Sequence, residues 1–265
     1  MRIARFISGT KTLVGEVLDA RTARRIDGDL LGDYRVTQDV VAIDKLLAPL
    51  VPTDILCIGL NYRLHAEETG SAIPENPMLF IKSSNALNNP FDPIVAPANS
   101  AMVDYEAELC IVIGRAARHV SREDALDYVL GYTCANDVSA RDWQREKSLG
   151  GGQFARGKSF DTFCPLGPWI VTRDEIPNPN DLAIKCHLND QVVQESSTAD
   201  MIYDVPALIA SLSSTLTLRT GAVILTGTPS GVGMGRKPPL WLKPGDTVVV
   251  DIEKIGRLEN PVIGE

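Results

Sequence analysis

The amino-acid sequence predicts a β-rich protein of the α+β class, and two observations support this prediction. Short segments that are either wholly apolar or alternate between apolar and polar residues recur along the whole chain, which is the pattern of β-strands. The best amphipathic helix lies in residues 200–218, where Pro206 stands near the first turn and leucines and isoleucine follow along one face. A chain of 265 residues can form one large β-rich domain or one domain with a small appendage.

We predict a small N-terminal domain over residues 1–51 and a larger domain over residues 52–265. Residues 2–6 and 12–18 alternate like strands, and a turn at residues 8–10 would join them as a hairpin. Residues 43–50 carry apolar side chains at helical spacing, so a short helix is expected there. This region contains no candidate catalytic or ligand-binding residue, so we interpret it as a packing domain.

Composition restricts the partners and the compartment. The formal net charge of −8 argues against a nucleic-acid partner or an anionic membrane surface. The five cysteines are scattered and form no CxxC pair, which suits a reducing compartment. The start of the sequence does not have the pattern of a leader peptide, and no apolar run approaches a membrane span. We therefore expect a soluble cytoplasmic protein.

The segment VDYEAELCIVIG, residues 103–114, is the most informative part of the chain. It is predicted to be a strand, so Glu106 and Glu108 project from the same face. Two carboxylates on one face repel each other unless a positive charge lies between them. Because the run that follows is apolar and looks buried, the pattern favours a hard-cation site, although a solvated sheet edge is the alternative. Asp104 shares this face, but its place at the strand entrance favours solvent exposure.

A second candidate group follows the apolar segment 54–59. If residues 61–68 form a helical turn, His65 and Glu68 are neighbours on one face. A carboxylate beside an imidazole orients it and raises its basicity, as general-base catalysis requires. An exposed histidine–glutamate pair on a surface helix is the alternative. Residues 69–77 are rich in Gly, Ser, Pro and Asn, so they are predicted to form a loop that could close over a substrate.

Residues 131–144 are predicted to begin as a strand and to turn helical after Asn136. In such a helix Asp137, Arg141 and Gln144 would share one stripe, which suits ligand binding better than a core. A surface ion pair between Asp137 and Arg141 is the other possibility, and the sequence leaves both open.

Two further segments invite interpretation as anion sites. Lys158 lies in a Gly-Lys-Ser sequence, but no phosphate-binding loop pattern precedes it, so we interpret it as a cation facing an anionic site or as a surface lysine. Residues 226–233 form a glycine-rich turn with hydroxyl side chains, whose backbone amides could approach an anion closely. A tight turn with nothing bound is an equal alternative.

Most of the candidate residues described above lie in six short sequence motifs. They are GLNYxxHxxE, PxLFxK, DYEAEL, NDVSARDWQ, GKSFDTFCPLGP and ILTGTPSGVG, in this order between Gly59 and Gly233. The ordered set resembles the fumarylacetoacetate hydrolase family over nearly all of residues 52–265, and it is most similar to the two-domain, single-function members. The resemblance implies a mixed β-roll as the C-terminal domain, a small N-terminal domain, a homodimer and one Mg²⁺ or Mn²⁺ per subunit.

The same resemblance assigns roles to individual residues. It implies that Glu106, Glu108 and Asp137 are the metal ligands and that His65 and Glu68 are the catalytic pair. It places Lys158 among the residues that act on the substrate. The remaining residues expected to bind substrate are Lys82, Arg141, Gln144 and Thr228.

The chemistry of these groups suggests a reaction class. Three carboxylates without a cysteine or histidine partner favour a hard divalent ion with open positions, which a 2-oxo carboxylate can fill. We expect hydrolysis of a C–C bond in an acylpyruvate-type substrate, with water activated by His65 and Glu68 and an enolate stabilised by the metal. Alternatives are an oxaloacetate decarboxylase or tautomerase and a 2-hydroxymuconate-type isomerase. A non-catalytic protein that binds a 2-oxo acid is the alternative of another class.

Overall fold

The computed structural model describes residues 1–265, and strands dominate it. The strands of the N-terminal part are β1 (Arg2–Ser8), β2 (Lys11–Val17), β3 (Thr22–Gly28), β4 (Tyr34–Ala42) and β5 (Lys45–Leu47). Those of the middle part are β6 (Ile55–Gly59), β7 (Met78–Lys82), β8 (Leu87–Asn88), β9 (Ile94–Ala96), β10 (Val103–Asp104), β11 (Ala107–Ile113), β12 (Val129–Asn136) and β13 (Ser139–Ala140). The remaining strands are β14 (Cys164–Thr172), β15 (Ala183–Leu188), β16 (Gln191–Ser197), β17 (Val223–Leu225), β18 (Thr247–Ile252) and β19 (Gly256–Gly264).

Four short α-helices accompany these strands. They are α1 (Arg63–Thr69), α2 (Arg141–Arg145), α3 (Phe154–Gly157) and α4 (Val205–Thr215). Helix α4 confirms the prediction for residues 200–218: Asp204 caps its first turn, Pro206 follows, and its leucines and isoleucine are buried. None of the four helices has the length and hydropathy that a membrane-spanning segment needs.

The strands form two large sheets of mixed direction. A 12-stranded sheet has the order β4-β3-β2-β1-β14-β12-β11-β17-β6-β7, with β5 beside β1 and β8 beside β14. A five-stranded sheet has the order β16-β15-β18-β19-β9, and β10 pairs with β13 separately. The pairs β17–β6, β14–β8 and β19–β9 are parallel, and the other pairs are antiparallel. This architecture confirms the predicted β-rich α+β class.

The core lies between the two sheets, where β11 and β12 pack against β15 and β18. Every residue of β11 is buried. A strand that is covered on both faces needs a continuous apolar run rather than an alternating one, and the Leu-Cys-Ile-Val-Ile sequence meets this requirement.

The N-terminal part agrees with the sequence at one element and differs at another. The predicted hairpin is confirmed, since β1 and β2 pair up to Ser8 and Lys11. The helix expected at residues 43–50 is wrong, because β5 pairs with β1 instead, with Arg5 opposite Leu47. On the edge of β1 opposite β2, strand β14 pairs only with the first residues of β1. The rest of that edge is open to pairing with β5, and this pairing overrides the local helical spacing of residues 43–50. The domain boundary at residues 51 and 52 stays a prediction.

The strand directions explain why the candidate residues gather at one edge of the large sheet. Strand β11 is antiparallel to both β12 and β17, and β17 is parallel to β6. The beginning of β11 therefore lies beside the ends of β12, β17 and β6. The segments that leave these three ends carry Asp137, the glycine-rich turn 226–233 and helix α1.

Candidate active site

Three carboxylates form an acidic triad at this edge. Glu106, Glu108 and Asp137 are buried, and each offers an oxygen within 4.8 Å of the oxygens of the other two. The antiparallel pairing of β11 with β12 brings them together, and the backbone N–H of Asp137 donates to the carbonyl oxygen of Glu106 at 2.9 Å. Their role as metal ligands stays a prediction.

The two glutamates of the triad have opposite electrostatic surroundings. Burial would raise the pKa of Glu106, but the charges of Arg141 and Lys158 outweigh burial and hold that pKa well below its usual range. Burial and then the charges of Asp137 and Glu106 raise the pKa of Glu108 well above its usual value. Positive charge is thus lacking beside Glu108, and an oxygen-only, buried donor set with this deficit fits a hard divalent ion.

Two buried lysines donate hydrogen bonds to carboxylates of the triad. The Nζ atom of Lys158 donates to Oε2 of Glu106 at 2.8 Å, to Oδ2 of Asp137 at 2.7 Å and to Oγ of Ser139 at 2.6 Å. The Nζ atom of Lys82 donates to Oδ1 of Asp137 at 2.5 Å and to a backbone carbonyl at 3.0 Å. Lys158 is therefore not a surface lysine, and the nearby carboxylates raise its pKa despite burial, which would lower it.

Arg141 joins the triad to a fourth carboxylate, that of Asp104. Its Nε donates to Oδ2 of Asp104 at 2.8 Å, its Nη2 donates to Oε1 of Glu106, and its Nη1 donates to Oε1 of Gln144 at 3.0 Å. The expectation that Asp104 is exposed is wrong, because its side chain is fully buried. Arg141 and the backbone amides of Gly233 and Met234 satisfy it.

The single helical stripe expected for Asp137, Arg141 and Gln144 is also wrong. Helix α2 begins only at Arg141, and Asp137 lies in the turn between β12 and β13. The pairing of β13 with β10 holds residues 139 and 140 extended, which delays the helix. Arg141 still contacts Gln144 directly. Its link to Asp137 is indirect, because Arg141 contacts Glu106, and Lys158 joins Glu106 to Asp137.

Helix α1 positions the histidine and its carboxylate. The Nδ1 atom of His65 lies 3.0 Å from Oε2 of Glu68, and Oε1 of Glu68 accepts from the N–H of Gly231 at 2.9 Å. Burial would raise the pKa of Glu68, but the hydrogen bonds from His65 and Gly231 lower it below its usual value. An ionised Glu68 fixes the proton on Nδ1, so we assign Nε2 of His65 as the free base.

The backbone amides of the glycine-rich turn bind carboxylate side chains of the protein itself. Its backbone amides hold three carboxylates from separate segments, in the pairs Gly227–Glu108 at 2.6 Å, Gly231–Glu68 at 2.9 Å and Gly233–Asp104 at 2.8 Å. Gly227 has φ +95° and Gly231 has φ +100°, a backbone region that favours glycine. The turn thus ties the histidine pair, the triad and Asp104 into one site.

A single cavity opens onto these groups. The buried polar and charged residues of its wall, which we call the inner wall, are His65, Glu106, Glu108, Arg141, Gln144, Lys158 and Thr228. The apolar residues of the wall, which we call its apolar side, are Ile58, Leu60, Met78, Phe80, Phe154 and Met234, and the polar residues Thr69, Ser71 and Arg145 also line the cavity. Asp137 and Lys82 are not part of this wall, so Lys82 supports the triad and does not face the cavity.

Sequence reasoning missed several residues that shape the site. Ser139 accepts from Lys158, and Gln194 donates to Oγ1 of Thr228 at 2.8 Å while its own oxygen accepts from the N–H of Ala107 at 2.9 Å. No local pattern marks either residue. Arg145, by contrast, follows Arg141 by four residues, and this helical spacing could have indicated it.

Comparison with known proteins shows which family the chain resembles. The family model described as the fumarylacetoacetate (FAA) hydrolase C-terminal domain matches residues 54–263. The chain is 49% identical over 220 residues to the oxaloacetate tautomerase fahd2, mitochondrial, of Xenopus laevis, covering 83% of this chain and 68% of the relative. It is 45% identical over 218 residues to the oxaloacetate tautomerase FAHD2A, mitochondrial, of Homo sapiens, covering 82% and 69% respectively.

Solved structures extend the similarity over the whole chain. The fumarylacetoacetate hydrolase from Exiguobacterium antarcticum superposes with a TM-score of 0.89 at 38% identity, and the alignment covers 100% of each chain. The 5-carboxymethyl-2-hydroxymuconate delta-isomerase from Mycobacterium smegmatis gives a TM-score of 0.88 at 38% identity and the same coverage.

These comparisons correct one expectation and confirm another. The expected cytoplasmic location is wrong, because the curated relatives from Xenopus laevis and Homo sapiens are named as mitochondrial proteins. Scattered cysteines cannot distinguish one reducing compartment from another. The expected family is confirmed by the matched domain and by the similarity of the whole fold. This chain belongs to the fumarylacetoacetate hydrolase family.

Proposed function

We propose that the protein is a divalent-metal-dependent tautomerase of 2-oxo acids, with oxaloacetate as the substrate to test first. The observation that carries this proposal is the position of His65. Its imidazole, whose Nε2 is free to accept a proton, lines the same cavity as Glu106 and Glu108. Tautomerisation moves one proton between the 2-oxo oxygen and the neighbouring carbon. One oriented base that is buried beside a charged site is sufficient for that transfer.

The residues of the triad fit Mg²⁺ or Mn²⁺, and such an ion, held by Glu106, Glu108 and Asp137, would polarise the 2-oxo group as a Lewis acid. His65 takes the proton from the carbon beside this group and returns it to oxygen, or carries out the reverse transfer. Glu68 stabilises the imidazolium that forms between the two transfers. The apolar side of the cavity, with Phe80 and Phe154, limits the access of bulk water.

Arg141 provides the contact to the substrate carboxylate at the inner end. A guanidinium has five N–H donors, and Arg141 uses three of them on Asp104, Glu106 and Gln144. Two donors therefore remain for a substrate. The carboxylates around Arg141 also keep its charge in place, since they raise its pKa although burial would lower it.

The similarity to proteins named oxaloacetate tautomerase supports proton transfer over the hydrolysis that the sequence suggested first. Hydrolysis of an acylpyruvate needs a positioned water molecule and cleavage of a carbon–carbon bond in addition to the base. Decarboxylation needs no base at that carbon. We therefore treat both as outcomes that the same assay can detect.

The assay follows the ultraviolet absorbance of enol-oxaloacetate after it is mixed with protein and Mg²⁺. We expect the enol band to decay faster than in Mg²⁺ solution alone, without CO₂ release, and we expect excess EDTA to remove the acceleration. Rapid CO₂ release would instead indicate a decarboxylase. Acetate release from acetylpyruvate, with no effect on the enol band, would indicate a hydrolase. Silence in all three assays would support a binding protein without this chemistry.

We also retain the homodimer with one ion per subunit as a proposal. Light scattering gives the oligomeric state, and calorimetric titration with Mn²⁺ gives the number of ions for each chain. A monomer, or a number other than one, would contradict it.

A further inference from the structure

The inner cations of the cavity have little capacity left for a second substrate carboxylate. An ammonium group has three N–H donors, and Lys158 uses all three on Glu106, Asp137 and Ser139. Lys82 does not line the cavity. Arg141 has two donors left, which one carboxylate would fill. A substrate with two carboxylates therefore needs another cation along the wall.

Arg145 meets this need. It lines the cavity, and it is exposed. Among the lysines and arginines of the wall, Arg141 and Lys158 both pair with buried carboxylates, so Arg145 is the one that remains unpaired. The net charge of the chain is −8, but an exposed arginine that lines the cavity supplies a local positive charge. This charge attracts an anion to the cavity.

The helix fixes the spacing between the two arginines. Arg141 and Arg145 are the first and last residues of α2. Residues four positions apart on a helix are neighbours, with Cβ atoms about 5–6 Å apart. The backbone around Arg145 is also closely packed, because a Cβ at Gly151 would lie 2.4 Å from its carbonyl carbon. The outer guanidinium therefore extends from a fixed point roughly one helical turn from the inner one.

We propose that Arg145 binds the distal carboxylate of the substrate and makes the cavity selective for 2-oxo dicarboxylates over 2-oxo monocarboxylates. This inference rests on the proposed function, since it assumes that a 2-oxo acid enters with its 2-oxo end at the triad. The names of the similar proteins agree with it: oxaloacetate carries two carboxylates, as does the 2-hydroxyhepta-2,4-diene-1,7-dioate in the name of a structure from Mycobacterium marinum.

The test compares oxaloacetate with the ethyl ester of its distal carboxylate, which keeps the 2-oxo acid end and removes one charge. Binding of each to the protein with Mg²⁺ is measured by calorimetry, and turnover is measured separately. A hydrogen bond between charged groups is lost in Arg145→Gln, so we expect affinity for oxaloacetate to fall roughly tenfold. Affinity for the ester should not change, and the wild-type preference for oxaloacetate should disappear.

Arg156→Gln is the matched control, because it removes one positive charge from the same region without altering the cavity wall. Arg156 is exposed, and its guanidinium lies 4.5 Å from the ring centroid of Trp143. Both affinities should stay near wild type in this variant. Equal loss of oxaloacetate binding in the two variants would overturn the proposal and indicate a general charge effect.

Two other results would also overturn it: wild-type protein that binds acid and ester equally, and Arg145→Gln protein that binds both as wild type does. Binding that follows the expected pattern without turnover would refute the tautomerase and leave the role of Arg145 supported. Binding of neither compound would refute the substrate class and, with it, this role.

Discussion

The Nζ atom of Lys158 lies 2.7 Å from Oδ2 of Asp137, and both side chains are almost completely removed from solvent. The same ammonium reaches Glu106 at 2.8 Å. A lysine that bridges two buried carboxylates neutralises charge that would otherwise repel within the triad. The triad is thus stabilised by the protein's own cations, while Glu108 alone has no cationic partner.

Lys158→Met should destabilise the protein strongly. Loss of one partner from a buried charge cluster leaves uncompensated charge and costs about 3–5 kcal/mol. The free energy of unfolding, measured by urea denaturation without metal, should fall by about this amount. The control is Lys185→Met, which removes an exposed pair with Glu195 at 2.6 Å and should cost about 1 kcal/mol or less. Equal losses in both variants would contradict a special role for Lys158.

Glu108→Gln should separate stability from metal binding. The amide keeps an oxygen for the N–H of Gly227 but removes a charge that Asp137 and Glu106 repel. Without metal we expect the free energy of unfolding to be unchanged or higher than in wild type. Mg²⁺ affinity, measured by calorimetry, should fall roughly tenfold or more because one charged oxygen ligand is lost. Unchanged affinity would exclude Glu108 as a ligand.

Removal of either member of the histidine pair should abolish most of the turnover. A positioned general base contributes roughly 10²–10⁴ in rate, so His65→Asn and Glu68→Gln should lower kcat within that range. Mg²⁺ affinity should stay close to wild type, because neither residue belongs to the triad. The matched control is His119→Asn, at an exposed histidine with φ +52°, a conformation that asparagine tolerates. Full activity in His65→Asn would exclude its catalytic role.

Gly235→Ala should disturb the same pair without unfolding the protein. A Cβ at residue 235 would lie 2.6 Å from Cδ of Glu68 and 2.7 Å from Oε1. Because this carboxyl group is the end of a flexible side chain, it can move away and lose its alignment with His65. We expect a lower kcat and a melting temperature that falls no further than in Glu68→Gln. Gly264→Ala, whose nearest neighbour would be at 3.4 Å, should change neither quantity.

The pH dependence of stability should report the ionisation of Glu68. Its pKa in the folded protein lies below the ordinary value of 4.5, so its stabilising contribution is present above that value. This contribution is lost as the pH falls through the lowered folded-state pKa. The melting temperature of Glu68→Gln should therefore be lower than wild type at neutral pH and should converge with it in strong acid. Glu75→Gln, at an exposed position of the following loop, should match wild type throughout.

Local patterns in the sequence determined the elements whose stability arises from neighbouring residues. The β1–β2 hairpin and helix α4 both follow from short-range alternation, turn residues and capping. The ordered motifs also identified the family and the members of the acidic triad. Each motif is contained within a few consecutive residues, and their order along the chain carries the resemblance.

Tertiary structure decided how the charges of the site are balanced. Asp104 is buried because Arg141, 37 residues away, and the amides of a turn about 130 residues away satisfy it. Glu108 and Gly227 meet across 119 residues, and Lys158 and Glu106 meet across 52. The strand β5 and the unpaired Arg145 likewise depend on which surfaces other segments cover. Burial and pairing of a charge are properties of the folded chain, so a single sequence supplies the groups while only the fold determines their partners.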